Sequence, residues 1–353
     1  MRSKAIASRL LACLMLAALV APPAITADEK KPLVAVVTTG GTIAQKADPK
    51  TGALTPAVTG RELIRAVPGL DKLARIQVEE FCNLDSSHLT PQIWAGLSRK
   101  LASILARPEV AGVVVTHGTD TMAEAAFFLD LTLQGPKPVV LTGSMRGASD
   151  LSPDGPANLH DAVLQAASPL ARGWGVTVTL NQYVWPARCV RKTRTNTVQT
   201  FDCGWRGYAG SIMGGQLWHN NPRPAGPHLP LPERLAKVAL IASFAGDDGA
   251  LLRAAVREGA QGIVLEALGQ GNVNPLAFAA VKEALAAGVT VVITSRVPFE
   301  PVRAGYGSAG GGQDLAKAGA ILSRELRGDK ARLLLMLALP QVKDPDELRR
   351  LFE

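Results

Sequence analysis

Aromatic rings, cysteines and metal-binding patterns are all scarce in this chain, and each shortage narrows what it can do. Aromatic residues are 5% of 353, and only three are tyrosines: Tyr183, Tyr208 and Tyr306. The core therefore has to be mostly aliphatic. There are four cysteines, with no Cys-x-x-Cys and no His-Glu-x-x-His. Metal-ligand spacing is thus missing, and neither a metal nor another cofactor is expected. The phosphate loop Gly-x-x-x-x-Gly-Lys-[Ser/Thr] is missing too, which argues against a nucleotide enzyme of that type. Charged residues reach only 19%, and the densest basic stretch is Arg191-Lys192-Thr193-Arg194. A formal charge of +8 spread so thinly leaves no nucleic-acid footprint. Beyond the first 27 residues no run is long and apolar enough to span a bilayer.

Those first 27 residues read as a cleaved secretory signal. Arg2, Lys4 and Arg9 form a positive start, Leu10 to Ala21 is an apolar stretch, and small residues follow to about Ala27. Leu10-Leu-Ala-Cys13 only faintly resembles a lipoprotein site, because the apolar run continues past Cys13. Removing the three basic residues takes the charge from +8 to +5. The mature protein is then expected in the periplasm or secreted, with no membrane contact. Cys82, Cys189 and Cys203 remain. Export permits a Cys189–Cys203 bridge; three small buried thiols are the other reading.

What is present is an alternation of β-branched runs and helical spacing. Leu33–Thr38, Val113–Thr116, Val139–Thr142 and Val176–Leu180 read as parallel strands covered on both faces. Between them, Thr90–Ala106, Thr121–Leu133 and Asn158–Ala167 show helical apolar spacing. Prolines 222, 224, 227, 230 and 232 mark a linker. Beyond it the alternation resumes, with strands Val238–Phe244, Gly262–Leu268 and Thr290–Ser295 and helices Gly249–Glu258 and Pro275–Ala287. The expected class is α/β: two α/β domains with mostly parallel sheets, the larger N-terminal. The domains are placed at 28–220 and 235–353, with the Pro-rich linker at 221–234.

Two strand ends carry the chemistry. Thr39-Gly40-Gly41-Thr42-Ile43-Ala44 follows the first strand directly. Its glycines allow a sharp turn and close backbone approach. They leave Thr42 at the carboxyl end of the strand, where open α/β sheets bind ligands. Val115-Thr116-His117-Gly118-Thr119-Asp120-Thr121 repeats the pattern, with a Thr beside an Asp. The stretch Ala44–Gly60, rich in Lys, Asp, Pro, Thr and Gly and poor in apolar residues, reads as a loop that can close over Thr42.

These paired motifs resemble those of the bacterial L-asparaginases, exported type. Further segments agree: Leu141-Thr-Gly-Ser-Met-Arg146, Ser152-Pro-Asp-Gly-Pro-Ala-Asn-Leu159, Arg191-Lys-Thr-Arg-Thr-Asn196 and Lys330-Ala-Arg-Leu-Leu-Leu-Met-Leu-Ala-Leu339. The resemblance spans roughly 33 to 353. It implies an amidohydrolase that turns L-asparagine into L-aspartate and ammonia, with possible L-glutaminase activity. It implies Thr42 as nucleophile and Thr119, Asp120 and Lys192 as a proton-transfer group. Lys192 serves as base if burial and nearby arginines lower its pKa. Ser86 matches the position that binds the substrate carboxylate. Ser87 stands where many relatives have Gln. Asp120 also meets the substrate ammonium, and Asn272 in Gly269-Gln-Gly-Asn272 reaches in from a neighbouring subunit. The implied assembly is a homotetramer acting on a small amino-acid amide.

Two departures from the family stand out. Relatives carry a Tyr in the lid, whereas the equivalent stretch here is Gly52-Ala53-Leu54-Thr55. Relatives often place a subunit-crossing acid near Phe299–Gly312, where only Glu300 is acidic. Both bear on rate and on the choice between asparagine and glutamine. Simpler roles stay open at other positions. His117 fits packing at a strand end better than base catalysis, and Asp154 and Asn158 fit a helix start and its turn. Gly143-Ser-Met-Arg-Gly147 has its serine one place early for a nucleophile elbow, which weakens a serine-esterase reading. A periplasmic amino-acid binding protein without turnover is the alternative from another class. Such a protein has no need of two strand-end threonines with an Asp and a Lys.

Overall fold

A computed structural model describes residues 31–47, 51, 54–56, 59–223 and 226–353. The expected signal segment, Gly52 and Ala53 of the expected lid, and Pro224 of the expected linker lie outside them. The first strand, β1 (Leu33–Gly40), is buried along nearly its whole length, as a strand with helices on both faces must be. A short hairpin, β2 (Gln45–Ala47) with β3 (Leu54–Pro56), and two short helices, α1 (Gly60–Arg65) and α2 (Leu70–Leu73), lead to β4 (Arg75–Leu84). Then come α3 (Pro91–Leu105), β5 (Val110–Thr116), α4 (Met122–Thr132), β6 (Val139–Thr142), α5 (Gly155–Ala167) and β7 (Val176–Leu180). Thr90 caps α3, accepting from the Ile93 N–H at 3.4 Å, and Pro91 starts it.

The order β4-β1-β5-β6-β7 is parallel throughout. It is the doubly wound 2-1-3-4-5 arrangement, whose crevice opens where the winding reverses beside β1. The sheet then turns antiparallel through β8 (Tyr183–Pro186). A small ribbon follows, β9 (Arg191–Lys192) with β10 (Phe201–Asp202). β11 (Gly210–Met213) and β12 (Gln216–His219) finish the eight-stranded sheet. None of the described residues from 220 to 232 lies in a helix or strand.

The second sheet is four parallel strands in sequence order, β13 (Val238–Ala242), β14 (Gly262–Ala267), β15 (Thr290–Ser295) and β16 (Ile321–Leu322). Helices α6 (Ala250–Arg257), α7 (Pro275–Ala286), α8 (Gly312–Lys317), α9 (Gly328–Ala338) and α10 (Pro345–Arg350) cover it. Asn274 caps α7, with the Ala277 N–H donating to its Oδ1 at 2.9 Å. α9 is buried almost all round. It packs on α4 of the larger domain and on β13 and β14 of the smaller one, so one hydrophobic cluster is shared by both domains. Two α/β domains with mostly parallel sheets, the larger N-terminal, are what the sequence implies. Among the described residues no helix is long and apolar enough to cross a membrane.

Candidate active site

Strand order brings three loops together. β4, β1 and β5 are neighbours, and their carboxyl ends lead to Ser86, Thr42 and Thr119. The Thr42 and Thr119 loops meet backbone to backbone. Gly41 has φ +89°, and a Cβ there would stand 2.4 Å from the Gly118 nitrogen and 2.5 Å from its Cα. No side chain fits at that approach. Thr42 and Thr119 are each one residue from the contact. Gly118 makes room on its other side for Ser86, whose Oγ would lie 2.6 Å from a Cβ added at Gly118. Thr121 Oγ1 donates to the Ser86 carbonyl at 2.8 Å, and Thr39 Oγ1 to the Thr116 carbonyl at 2.8 Å. Thus each loop is fastened to the next.

Lys192 arrives from the small ribbon. Its Nζ donates to Thr119 Oγ1 at 2.9 Å and to Asp120 Oδ1 at 2.7 Å. Thr119 is buried, Lys192 partly so, and Asp120 is exposed. The lysine therefore links a sheltered hydroxyl to an open carboxylate. Its ribbon is cross-linked by a Cys189–Cys203 disulfide, with Cα atoms 5.0 Å apart. Cys82 is the free thiol among the described cysteines; its Sγ donates to the Thr39 carbonyl at 3.3 Å, and burial pushes its pKa up.

The remaining candidates divide. Ser86 is buried at the junction of the loops. Ser87 is exposed, and its Oγ and N–H both donate to Asp85 Oδ1, at 2.8 and 2.9 Å. Its hydroxyl is thus tied into its own turn. Asn272 sits in the smaller domain, in a tight turn closed by backbone bonds between Leu268 and Asn272. Its Oδ1 accepts from the Gly312 N–H at 3.3 Å. Among the described residues no hydrogen bond joins it to the other six candidates.

His117 is fully buried, with Nδ1 2.7 Å from the Gly118 carbonyl. Burial pulls its pKa down to about 4, so it is a neutral ring at neutral pH. Asp154 accepts from the Met145 and Arg146 N–H groups, and Asn158 donates to the Gly143 carbonyl at 2.9 Å. Both shape the turn after β6. Tyr183 and Tyr208 pack with Trp185, while Tyr306 is exposed in the smaller domain. The fastening threonines, Thr39 and Thr121, have no sequence signal that sets them apart from other strand-end threonines.

This arrangement suits acyl transfer. It offers a hydroxyl at a strand end, a second hydroxyl in contact with an amine, a carboxylate, and backbone N–H groups from two turns. Residues 33–225 match the family model described as asparaginase, N-terminal, and residues 237–352 match the glutaminase/asparaginase C-terminal domain. The chain is similar to L-asparaginase 2 of Bacillus subtilis (36% identity, 93% of this chain and 88% of that one). It is similar to L-asparaginase 2 of Escherichia coli at 36% identity, over 91% of this chain and 92% of the relative. Among solved structures it resembles a probable cytoplasmic L-asparaginase from Campylobacter jejuni. That likeness has a TM-score of 0.83 and 36% identity, over 91% of this chain and 99% of the other.

Proposed function

The chain belongs to the asparaginase family, and from that premise we propose that it hydrolyses L-asparagine to L-aspartate and ammonia with Thr42 as the nucleophile. The observation that carries this reading is the meeting of Gly41 and Gly118, beside which Lys192 holds both Thr119 and Asp120. Thr42 Oγ attacks the side-chain amide carbon. The carbon–nitrogen bond breaks, a proton goes to the departing nitrogen, and an ester to Thr42 remains. Water placed by Thr119 then cleaves the ester and Thr42 recovers its proton. In its neutral form Lys192 accepts the Thr119 proton across the 2.9 Å contact, and Asp120 orients the amine. Backbone N–H groups of the two glycine turns face the developing oxyanion.

Ser86 holds the substrate carboxylate in this scheme. Asp120 Oδ1 is engaged by Lys192, which leaves Oδ2 for the ammonium. Ser87 lies at the rim. Asn272 belongs to a site completed by a neighbouring copy, in a homotetramer. L-Glutamine is a second substrate. The protein acts in the periplasm or outside the cell; relatives are described both as periplasmic and as cytoplasmic.

The test is ammonia release from L-asparagine and, separately, L-glutamine, by the mature protein and by Thr42→Ala. Asparagine turnover that vanishes in the variant supports the nucleophile, and the glutamine rate sets the selectivity. Wild-type activity in Thr42→Ala would sink the assignment. Tight binding of asparagine with no turnover by the native protein would favour a binding protein.

A further inference from the structure

The ribbon that carries Lys192 is too short to place it unaided. β9 and β10 share two residue pairs, Lys192 with Phe201 and Arg191 with Asp202. A two-stranded element of that size is marginal alone. Its lead-in, Ala187 to Val190, is held from two other directions. Cys189 is bonded to Cys203, which directly follows β10. From the smaller domain, Lys330 on α9 reaches in, and its Nζ donates to the Ala187 carbonyl at 2.7 Å and to the Val190 carbonyl.

Lys330 is 1% exposed. Among the described residues it forms no ion pair; its amine meets the two carbonyls and lies 5.7 Å from the centre of the Phe127 ring on α4. Lysine is almost never buried so completely without a carboxylate partner. An apolar chain of the same length would fill the space without the desolvation cost. What it would lack is a hold on these two carbonyls. Ammonium and amine forms both carry enough N–H groups for both acceptors.

We propose that Lys330 and the Cys189–Cys203 bridge are positioning groups for Lys192. They fix the backbone just ahead of it and so set the contacts of its Nζ with Thr119 and Asp120. This rests on the reading of Lys192 as part of the proton-transfer group. Lys330 itself touches neither the reacting atoms nor the substrate. A displacement of about 1 Å at a reacting group costs on the order of 100-fold in rate.

The test is kcat and KM for asparagine, measured well below every variant's thermal midpoint. The variants are Lys330→Met, Leu335→Ala, and Cys189→Ser combined with Cys203→Ser, with Lys192→Met alongside. Leu335 is buried on the same helix but faces Gly262 of β14, so its truncation destabilises α9 without touching the turn. Lys330→Met is expected to lower kcat by about 10- to 100-fold with KM nearly unchanged. The bridge variant should lose less, and Leu335→Ala should keep its kcat. A wild-type kcat in Lys330→Met, or an equal loss in Leu335→Ala, overturns the proposal. Should Lys330→Met fail to fold, the bridge variant decides. A wild-type kcat there overturns the proposal, and a reduced kcat at constant KM supports it. Full activity in Lys192→Met would instead overturn the reading of Lys192, and the positioning role with it.

Discussion

The site is assembled from two regions built on opposite principles. The Thr42 and Thr119 loops are extensions of two central, buried, adjacent strands, and they meet through bare backbone. Lys192 stands on a two-residue strand outside both large sheets, fastened by a disulfide and by a lysine 138 positions later in the chain. The first region inherits its precision from the sheet. The second borrows its precision from distant contacts. Local sequence therefore specifies one half of the proposed catalytic group, and tertiary structure the other.

The sharpest way to break the first region is Gly41→Ala. The added methyl would collide with the Gly118 backbone, in a backbone conformation that alanine resists. Turnover should fall by about 100-fold or more, because the two threonines are pushed apart. Ammonia release alongside circular dichroism checks this, and near-normal activity in a folded variant would refute the contact.

The two regions should also differ in their pH dependence. Burial lowers the Lys330 pKa from 10.5 to about 7. The folded state then binds fewer protons than the unfolded state across that window, so this group's contribution is full above 10.5 and is lost as pH falls towards 7. Denaturant unfolding of the wild type should gain a few kcal/mol relative to Lys330→Met as pH rises from 7 to 10.5. A flat difference would show that Lys330 is not desolvated.

His117 works in an acid window instead. Its pKa is depressed from 6.5 to about 4, so its contribution is complete above 6.5 and lost as pH falls through 4. The loss should amount to ~3 kcal/mol and should disappear in His117→Asn. An unchanged acid profile in that variant would count against it. The smallest effect is expected from chelation. EDTA should leave turnover as it was, and inhibition reversed by added metal would contradict the two-threonine scheme.

The sequence made the first region readable because its signals are local. Val139–Thr142 and Val176–Leu180 are strands with those bounds, and the helices from Thr90 and Pro275 start at or beside their caps. β4 escaped notice for a physical reason. It is an edge strand, only partly buried, and Arg75, Gln77, Glu79 and Glu80 break up its apolar pattern. The Lys192 region was legible only as a motif. Nothing near Lys330 announces that its amine ends on the carbonyls of Ala187 and Val190, because that contact exists only once α9 has docked. The disulfide was readable as a possibility, since spacing alone cannot show that two Cα atoms come within bonding range.

The contact between Gly41 and Gly118 also limits how this protein can be redesigned. A contact between side chains can be loosened by trimming them, but here it is two backbones that meet. Mutagenesis libraries aimed at a longer amide should leave both glycines fixed. Variation belongs at exposed positions such as Ser87, whose side chain is tied into its own turn and takes no part in joining the two loops.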